Sequence, residues 1–442
     1  MEANWPAIIL LSVVTATATY IGRAWFKRWF NPLSLYSAIW GVCLITYELR
    51  LIQYYTIGRQ AWVYIFVAWL SFYFGSAIVR LADGGSKGRN PTAFLCDLRR
   101  LKVAILILSA VGGVGLLDQA RVVSGQLGGL FVAVFLDPQS IYLGRTGGEL
   151  SWLPYAGSFL FPACSFAGIY SAKLGRISKV ATLPLLLVAL QMVLGMARMG
   201  FVMGAILFLS SFLHTPKPKG FTVTRTQLIL VSSAVVILLV GGMFFVTSIR
   251  GLAVDLPGRT PTIDSITEYI PFFPAVYANF SAPPVALSMY LEKPDEQRNG
   301  FWGMYTFAPV FRVLSKFGFP TSVPPYEENY YTPVEVNTST YLKNLSSDFG
   351  FLGVVFFPLL LGAATTHLVR GGECRPKLVG LVVLSDLYVL VAFSYVVNLT
   401  VGDWYVATVI GVLAAHIVQR KSVSRLVEDD SGILRLPSRE MA

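Results

Sequence analysis

Residues 61–79 read AWVYIFVAWLSFYFGSAIV, and residues 80–102 continue as RLADGGSKGRNPTAFLCDLRRLK. The first segment has 19 residues without a charge, close to the roughly 20 that a helix needs to cross a bilayer. The second segment contains six lysines and arginines. Because basic residues accumulate on the cytoplasmic side of spanning helices, the pair predicts a transmembrane helix that ends in the cytoplasm.

The composition of the whole chain agrees with this interpretation. Of its 442 residues, 55% are hydrophobic and 13% are charged, whereas about 25% of the residues in a soluble domain are charged. The net charge of +11 does not indicate nucleic-acid binding, because the basic residues lie in short clusters between apolar segments. Since helices satisfy their backbone hydrogen bonds within lipid, we expect an all-α, polytopic membrane protein.

Similar apolar segments recur along the chain and predict about eleven transmembrane helices. Basic clusters follow every odd-numbered segment, while the short even-numbered connections carry little charge. This alternation predicts a periplasmic N-terminus and a cytoplasmic C-terminus. The predicted spans are 7–21, 33–49, 61–79, 103–117, 152–172, 180–197, 200–213, 228–249, 349–369, 378–397 and 404–418.

These spans divide the chain into four predicted regions. Residues 1–248 hold helices 1–8, residues 249–347 form a long periplasmic loop, residues 348–420 hold helices 9–11, and residues 421–442 form a cytoplasmic tail. The long loop is rich in aromatic residues and proline, whereas disordered segments are poor in aromatics. We therefore expect short helices there that form a lid or cleft. The apolar residues 127–136 are too few to span and are expected along the interface or as a re-entrant segment.

Two arginines are predicted at the outer ends of spans. Arg198 lies between two spans with almost no connecting loop, and Arg250 lies where the eighth span ends. Guanidinium groups bind phosphate and diphosphate through paired hydrogen bonds, so a lipid-linked diphosphate is the expected anion. Contact with phospholipid headgroups is the alternative. All three histidines are predicted at cytoplasmic helix ends, so an external site would use a carboxylate, a tyrosine or no base.

A polar segment precedes the ninth predicted span. Residues 336–342 read VNTSTYL, and residues 347–353 read SDFGFLG. Asp348 is expected either to cap the helix that follows or to act on a substrate. Glu335 in the loop is either solvated or a candidate base. Asp386, in the middle of the tenth span, is expected to be functional or paired with another buried polar group.

This combination of topology and residues resembles the Wzy-type oligosaccharide repeat-unit polymerases, which make O-antigen and exopolysaccharide. The resemblance rests on Phe-Asn-Pro at residues 30–32, the arginine of residues 196–200, and Thr340-Tyr341 followed by Asp-Phe-Gly at residues 348–350 and by Gly353. The last group is the most specific, because it follows a long external loop and precedes three closing spans.

The resemblance implies a glycosyltransferase of the GT-C type in the bacterial inner membrane. Such enzymes join repeat units carried on undecaprenyl diphosphate at the periplasmic face, without a cofactor or a metal ion. The implied partners are the undecaprenyl-diphosphate-linked glycan, membrane lipid, a flippase and a chain-length regulator. Nucleic acid is not implied.

The resemblance also implies roles for particular arginines. Arg198 and Arg250 would hold the donor diphosphate, and Arg250 would stabilise that diphosphate as it leaves, which makes it a catalytic residue. Arg259 and Arg312 would assist in diphosphate binding.

Further roles are implied for the acceptor side of the reaction. Asp348 or Glu335 would deprotonate or orient the acceptor hydroxyl. Tyr341 would line the acceptor site, and Trp302 and Tyr305 would stack on sugar rings.

Three other functions remain as alternatives. An O-antigen ligase has similar topology, but that family relies on a histidine in its long external loop, and residues 249–347 contain none. Enzymes that use polyprenyl-monophosphate sugars usually carry paired acids in the first external loop, which are absent from the short loop here. A flippase or transporter needs no such long loop, and its halves are often repeated.

Overall fold

The computed structural model describes most of the chain. The described residues are 2–82, 97–147, 149–150, 153, 155–195, 198–217, 257–292, 302–315, 317–319, 330–336, 338–374, 377–396 and 404–433. The eighth predicted span and Arg250 lie outside these residues. The side chain of Arg198 is also outside the description, although its backbone begins a helix.

The described residues are almost entirely helical. The first eight helices are α1 (Trp5–Phe26), α2 (Pro32–Glu48), α3 (Arg59–Ala82), α4 (Leu98–Gln126), α5 (Pro138–Gly147), α6 (Leu160–Leu174), α7 (Lys179–Gly195) and α8 (Arg198–His214). A π-helical turn at Val132–Leu136 precedes α5, and a 3₁₀ turn at Ala156–Phe159 precedes α6.

The second half combines short helices, one hairpin and three longer helices. The short helices are α9 (Pro261–Tyr269), α10 (Phe273–Ser281), α11 (Pro283–Glu292) and α12 (Ala308–Ser315). Strands β1 (Tyr330–Tyr331) and β2 (Glu335–Val336) form an antiparallel hairpin. The chain then continues through α13 (Leu342–Cys374), α14 (Leu378–Phe393) and α15 (Trp404–Ile433).

Several helices have the length and composition of membrane spans. Within the described residues, four helices are long and apolar enough to cross a bilayer, namely α1, α3, α4 and α13. The helices α7, α8, α14 and the first part of α15 are shorter but also apolar. Many of their large apolar side chains face outward, which suits contact with lipid. In its coarse architecture the protein is therefore a largely helical, membrane-embedded protein.

The helices pack around two hydrophobic cores. One core lies among α4, α6, α7, α8 and α15. The other lies among α2, α3 and α13, and it includes residues of α10, α11 and the hairpin. Helix α14 contributes to both, since Leu381 faces the first core and Tyr388 faces the second. The short helices α9, α10 and α11 are thus part of the second core.

Small residues bring α3 and α13 into close contact. A Cβ added at Gly75 would clash with the carbonyl oxygen of Leu359, and one added at Gly362 would clash with that of Phe72. The hydroxyl of Ser76 donates to the carbonyl oxygen of Gly362 at 3.1 Å. Close backbone approach through small residues is typical of helix pairs in membranes.

The Phe-Asn-Pro segment begins α2 and fixes the end of α8. The side-chain oxygen of Asn31 accepts a hydrogen bond from the amide of Ser34 at 2.9 Å, which caps the helix. The ring of Phe30 stacks on Tyr388 with centroids 4.9 Å apart. The hydroxyl of Tyr388 donates to Nε2 of His214, whose Nδ1 bonds a backbone carbonyl oxygen. His214 is thus held in a buried structural network.

Helix α13 begins before the predicted ninth span. It starts at Leu342, seven residues ahead of the first apolar residue of that span. Gly350 interrupts the helix with φ 60° and ψ −148°, a conformation essentially restricted to glycine. The break separates a short polar portion, 342–349, from the long apolar portion that follows. The candidate site is built around this polar portion.

Candidate functional site

The start of α13 holds an unusual density of buried polar groups. Six polar or charged side chains within residues 339–348 are buried, whereas such residues are mostly exposed in proteins. They are Ser339, Thr340, Lys343, Asn344, Ser346 and Asp348. Buried polar clusters of this kind are retained where they hold a particular geometry or act on a ligand.

Asp348 holds the turn that precedes α12. Its side chain is only 8% exposed. One carboxylate oxygen accepts a hydrogen bond from the amide of Tyr305 at 3.0 Å, and the other accepts from the amide of Thr306. Asp348 was expected to cap the helix that follows it, but it instead accepts from backbone amides of another segment, 302–307. A carboxylate has about four acceptor positions, so capacity for a substrate hydroxyl remains.

This tether places the two predicted stacking residues beside α13. Trp302 is 78% exposed, and its ring meets that of Phe349 edge-on with centroids 4.7 Å apart. Tyr305 is half-buried and lies in the same turn. The exposed indole of Trp302 thus lies against Phe349 at the end of the polar portion of α13, where an aromatic ring can stack on a bound sugar.

Lys343 lies buried in the first turn of α13. Its ammonium nitrogen is 4.7 Å from the ring centroid of Tyr330 and 5.9 Å from that of Tyr290. The hydroxyls of Tyr290 and Ser347 are hydrogen bonded at 2.6 Å. The lysine therefore links the hairpin, α11 and α13 through contacts with aromatic faces.

Tyr341 anchors the start of α13 inside the bundle. The ring is buried, and its hydroxyl is hydrogen bonded to that of Tyr36 at 2.9 Å. Its amide donates to the carbonyl oxygen of Ser394 at the end of α14, and the Ser394 hydroxyl accepts from the indole of Trp40. In this arrangement Tyr341 orients the site and does not present its face to the surface.

The loop 51–58 ties α2 to the short helices. The amide of Leu51 donates to the hydroxyl of Tyr277, which itself donates to a carbonyl oxygen of α2. Burial raises the pKa of Tyr277 to about 12. The hydroxyl of Tyr54 is bonded to that of Ser281. These bonds join residues more than 200 positions apart.

The same loop also contacts the hairpin and the segment before α9. The amide of Tyr55 donates to the carbonyl oxygen of Thr332 at 3.2 Å, at the hairpin tip. The amide of Gln53 donates to the carbonyl oxygen of Gly258 at 2.8 Å, and Ile52 forms a bridge with Arg259. Three separate parts of the chain are thus brought to one surface next to α13.

The predicted diphosphate ligands are only partly covered by the description. The Nε atom of Arg259 lies 2.8 Å from a carboxylate oxygen of Asp264, in the first turn of α9. Arg312 is half-buried on α12, close in sequence to the tethered turn. The side chains of Arg198 and Arg250 lie outside the described residues, so their roles stay predictions. The strand bridge between Arg259 and Ile52 places Arg259 beside the loop that contacts the hairpin tip.

Four further polar side chains lie in segments that the sequence singles out. Glu335 is exposed on β2. The buried hydroxyls of Ser339 and Thr340 have no hydrogen-bond partner among the described residues. Asp386 is buried in α14, and its Oδ2 atom has no hydrogen-bond partner among the described residues, so its two expected roles both stay predictions.

Sequence reasoning missed Lys343 and Tyr55 as members of this region. A lysine two residues after Tyr341, at the start of an apolar span, was an available signal because lysine is rarely buried. Tyr55 has no such signal, since its position depends on pairing between loops.

Comparison of the chain with protein-family models, with curated proteins and with solved structures finds no match.

Proposed function

We propose that this protein polymerises oligosaccharide repeat units carried on undecaprenyl diphosphate. In this proposal it is an inner-membrane glycosyltransferase of about eleven spanning helices, with the loop 249–347 on the periplasmic side. The donor diphosphate binds Arg198 and Arg250 at the membrane surface, with Arg259 nearby. The acceptor glycan lies over the polar portion of α13.

One observation carries the proposal. Three of the residues on which the family resemblance rests, Thr340, Tyr341 and Asp348, are buried at or just before the polar portion of α13. The tether from Asp348 holds Trp302 and Tyr305 over that portion. An aromatic surface above buried polar groups at the end of an apolar helix suits a substrate with a sugar part and a lipid part.

The proposed reaction is a transfer between two lipid-linked glycans. A hydroxyl of the acceptor repeat unit attacks the anomeric carbon of the growing chain, and the bond from that carbon to the donor diphosphate breaks. The hydroxyl proton passes to a carboxylate, either Asp348 or Glu335. Undecaprenyl diphosphate leaves with its charge stabilised by guanidinium groups.

The test is extension of a defined substrate by purified protein. The full chain is reconstituted in lipid nanodiscs with the lipid-linked repeat unit extracted from the producing bacterium, and products are separated on a gel. We expect a series of bands that increase by one repeat unit. Arg250→Ala and Asp348→Ala should abolish the series while the protein still reaches the membrane.

Further assays of the same purified protein separate the alternatives. Transfer of the glycan to lipid A core, without bands of increasing length, would identify a ligase. Movement of the lipid-linked unit across proteoliposomes, without extension, would identify a flippase. Either result would overturn the proposed polymerase activity.

A further inference from the structure

The hairpin presents two side chains on its outward face. In the antiparallel pair, Tyr331 is directly opposite Glu335, and Tyr330 is opposite Val336. Opposed residues project to the same face of a pair, and successive residues alternate. The burial follows this rule, because Tyr330 is buried and Val336 half-buried, whereas Tyr331 is 61% exposed and Glu335 is exposed. A phenol ring and a carboxylate therefore stand side by side.

A second exposed tyrosine joins them from another loop. Tyr55 is 55% exposed, and its amide is bonded to Thr332 at the hairpin tip. The preceding Tyr54 is buried and hydrogen bonded to Ser281, which fixes the loop backbone. Tyr55 is thus held next to the hairpin tip before any ligand binds. Such preorganisation lowers the entropy lost on binding.

The chemistry of this surface selects its ligand. A lipid chain would leave the carboxylate of Glu335 in an apolar environment, which is unfavourable. A sugar ring instead offers C–H groups that pack on aromatic faces and hydroxyls that donate to a carboxylate.

We propose that Tyr55, Tyr331 and Glu335 form a carbohydrate-binding platform for the acceptor glycan. The proposal rests on the polymerase function, because it names the part of the chain that holds the sugar end of the acceptor. The platform lies on the same surface as Arg259, which is bridged to Ile52 in the loop that carries Tyr55. The sugar end and the diphosphate of the bound substrates would therefore be recognised by neighbouring segments.

The platform is tested by binding of a soluble glycan. The probe is the oligosaccharide released by mild acid from the lipid-linked repeat unit, titrated into the full chain in nanodiscs by isothermal calorimetry. Tyr55→Ala and Tyr331→Ala should each raise the dissociation constant about tenfold. Tyr55→Phe and Tyr331→Phe keep the aromatic face and should bind within about twofold of the natural chain.

Two further variants control for structural damage. Tyr20→Ala removes a tyrosine that is equally exposed on α1, and it should leave binding unchanged. Glu335→Gln keeps the shape of the strand residue and should raise the dissociation constant about threefold. Unchanged binding in Tyr331→Ala and Glu335→Gln, or no binding by the natural chain, would overturn the platform.

The outcomes for the platform and for the polymerase are distinct. Binding that depends on the platform residues, without formation of longer products, would support the platform and refute the polymerase. Formation of longer products by Tyr55→Ala and Tyr331→Ala with an unchanged KM for the acceptor would support the polymerase and refute the platform.

Discussion

The carboxylate of Asp348 on α13 accepts a hydrogen bond from the backbone amide of Tyr305 at 3.0 Å, across 43 positions of sequence. The same side chain accepts from the next amide, that of Thr306. The tether therefore connects a helix with the features of a membrane span to a turn in the long loop. Through these two hydrogen bonds, Asp348 positions the turn that contains Trp302.

Asp348→Ala should lower stability and detach the turn 302–307. Removal of the carboxylate leaves two amides without their acceptor, and hydrogen bonds to charged groups contribute up to about 3 kcal/mol each. Thermal unfolding in nanodiscs and protease cleavage within residues 302–307 measure these effects. Asp348→Asn keeps one acceptor oxygen and should fall between the natural chain and Asp348→Ala. Equal protease resistance in all three proteins would contradict the tether.

The hydroxyls of Tyr36 and Tyr341 should behave as a pair. They lie 2.9 Å apart in a buried position between α2 and the start of α13. Tyr36→Phe and Tyr341→Phe should each reduce the free energy of unfolding by about 1 kcal/mol, with little further loss in the double variant. Chemical denaturation in detergent of the natural chain, the two single variants and the double variant completes this double-mutant cycle. Additive losses would show that the two hydroxyls do not interact.

The contact between α3 and α13 should tolerate no added methyl group. In Gly75→Ala, the new Cβ would meet the carbonyl oxygen of Leu359, so the helices must separate at a cost of about 2 kcal/mol. Gly113→Ala is the matched control, because a Cβ at Gly113 meets nothing within 4 Å. The control should gain about 0.5–1 kcal/mol through helix propensity. The two variants are compared by their thermal unfolding temperatures and by their yields in the membrane fraction.

Much of the helical framework follows from local sequence. The span predicted to begin at residue 33 begins at Pro32, where Asn31 supplies the cap. The span predicted to begin at residue 378 begins at Leu378. The helix that contains the ninth predicted span begins seven residues before that span, at Leu342. Residues 342–348 include Lys343, Asn344 and Asp348, which no hydropathy pattern assigns to a buried helix. Lys343 is covered by α11 and the hairpin, and Asp348 by the turn 302–307, all of which belong to the long loop.

The site itself was less accessible to sequence reasoning. The partners of Asp348 are backbone amides, which have no signature in the sequence. The bond between Leu51 and Tyr277 joins positions 226 apart, and pairing at that distance cannot be inferred from one chain. The sequence indicates residue types that suit a lipid-linked glycan, but it does not show which of these residues are in contact in the folded protein.

The side of the membrane on which the short helices lie can be tested with single cysteines. Ser265 on α9 and Arg99 on α4 are both exposed, and the charge pattern predicts that they lie on opposite sides. In a chain with Cys96 and Cys374 replaced by serine, Ser265→Cys should react with a membrane-impermeant maleimide in intact spheroplasts. Arg99→Cys should react only after lysis. Labelling of Ser265→Cys only after lysis would refute the periplasmic loop and the polymerase with it.

Variants of Arg259 and Asp264 can show whether Arg259 binds the donor diphosphate or only forms a structural ion pair with Asp264. Their side chains are 2.8 Å apart and 23% and 48% exposed, so the pair contributes at most about 1 kcal/mol to stability. If Arg259 binds the donor, Arg259→Ala should raise the KM for the lipid-linked unit about tenfold, and Arg259→Lys should restore it only partly, because lysine lacks the paired donors of a guanidinium. Asp264→Asn should lower the KM, since the guanidinium is then no longer shared with a carboxylate. If the pair is purely structural, Arg259→Ala and Asp264→Asn should show equal small losses of stability, and both should keep the KM of the natural chain.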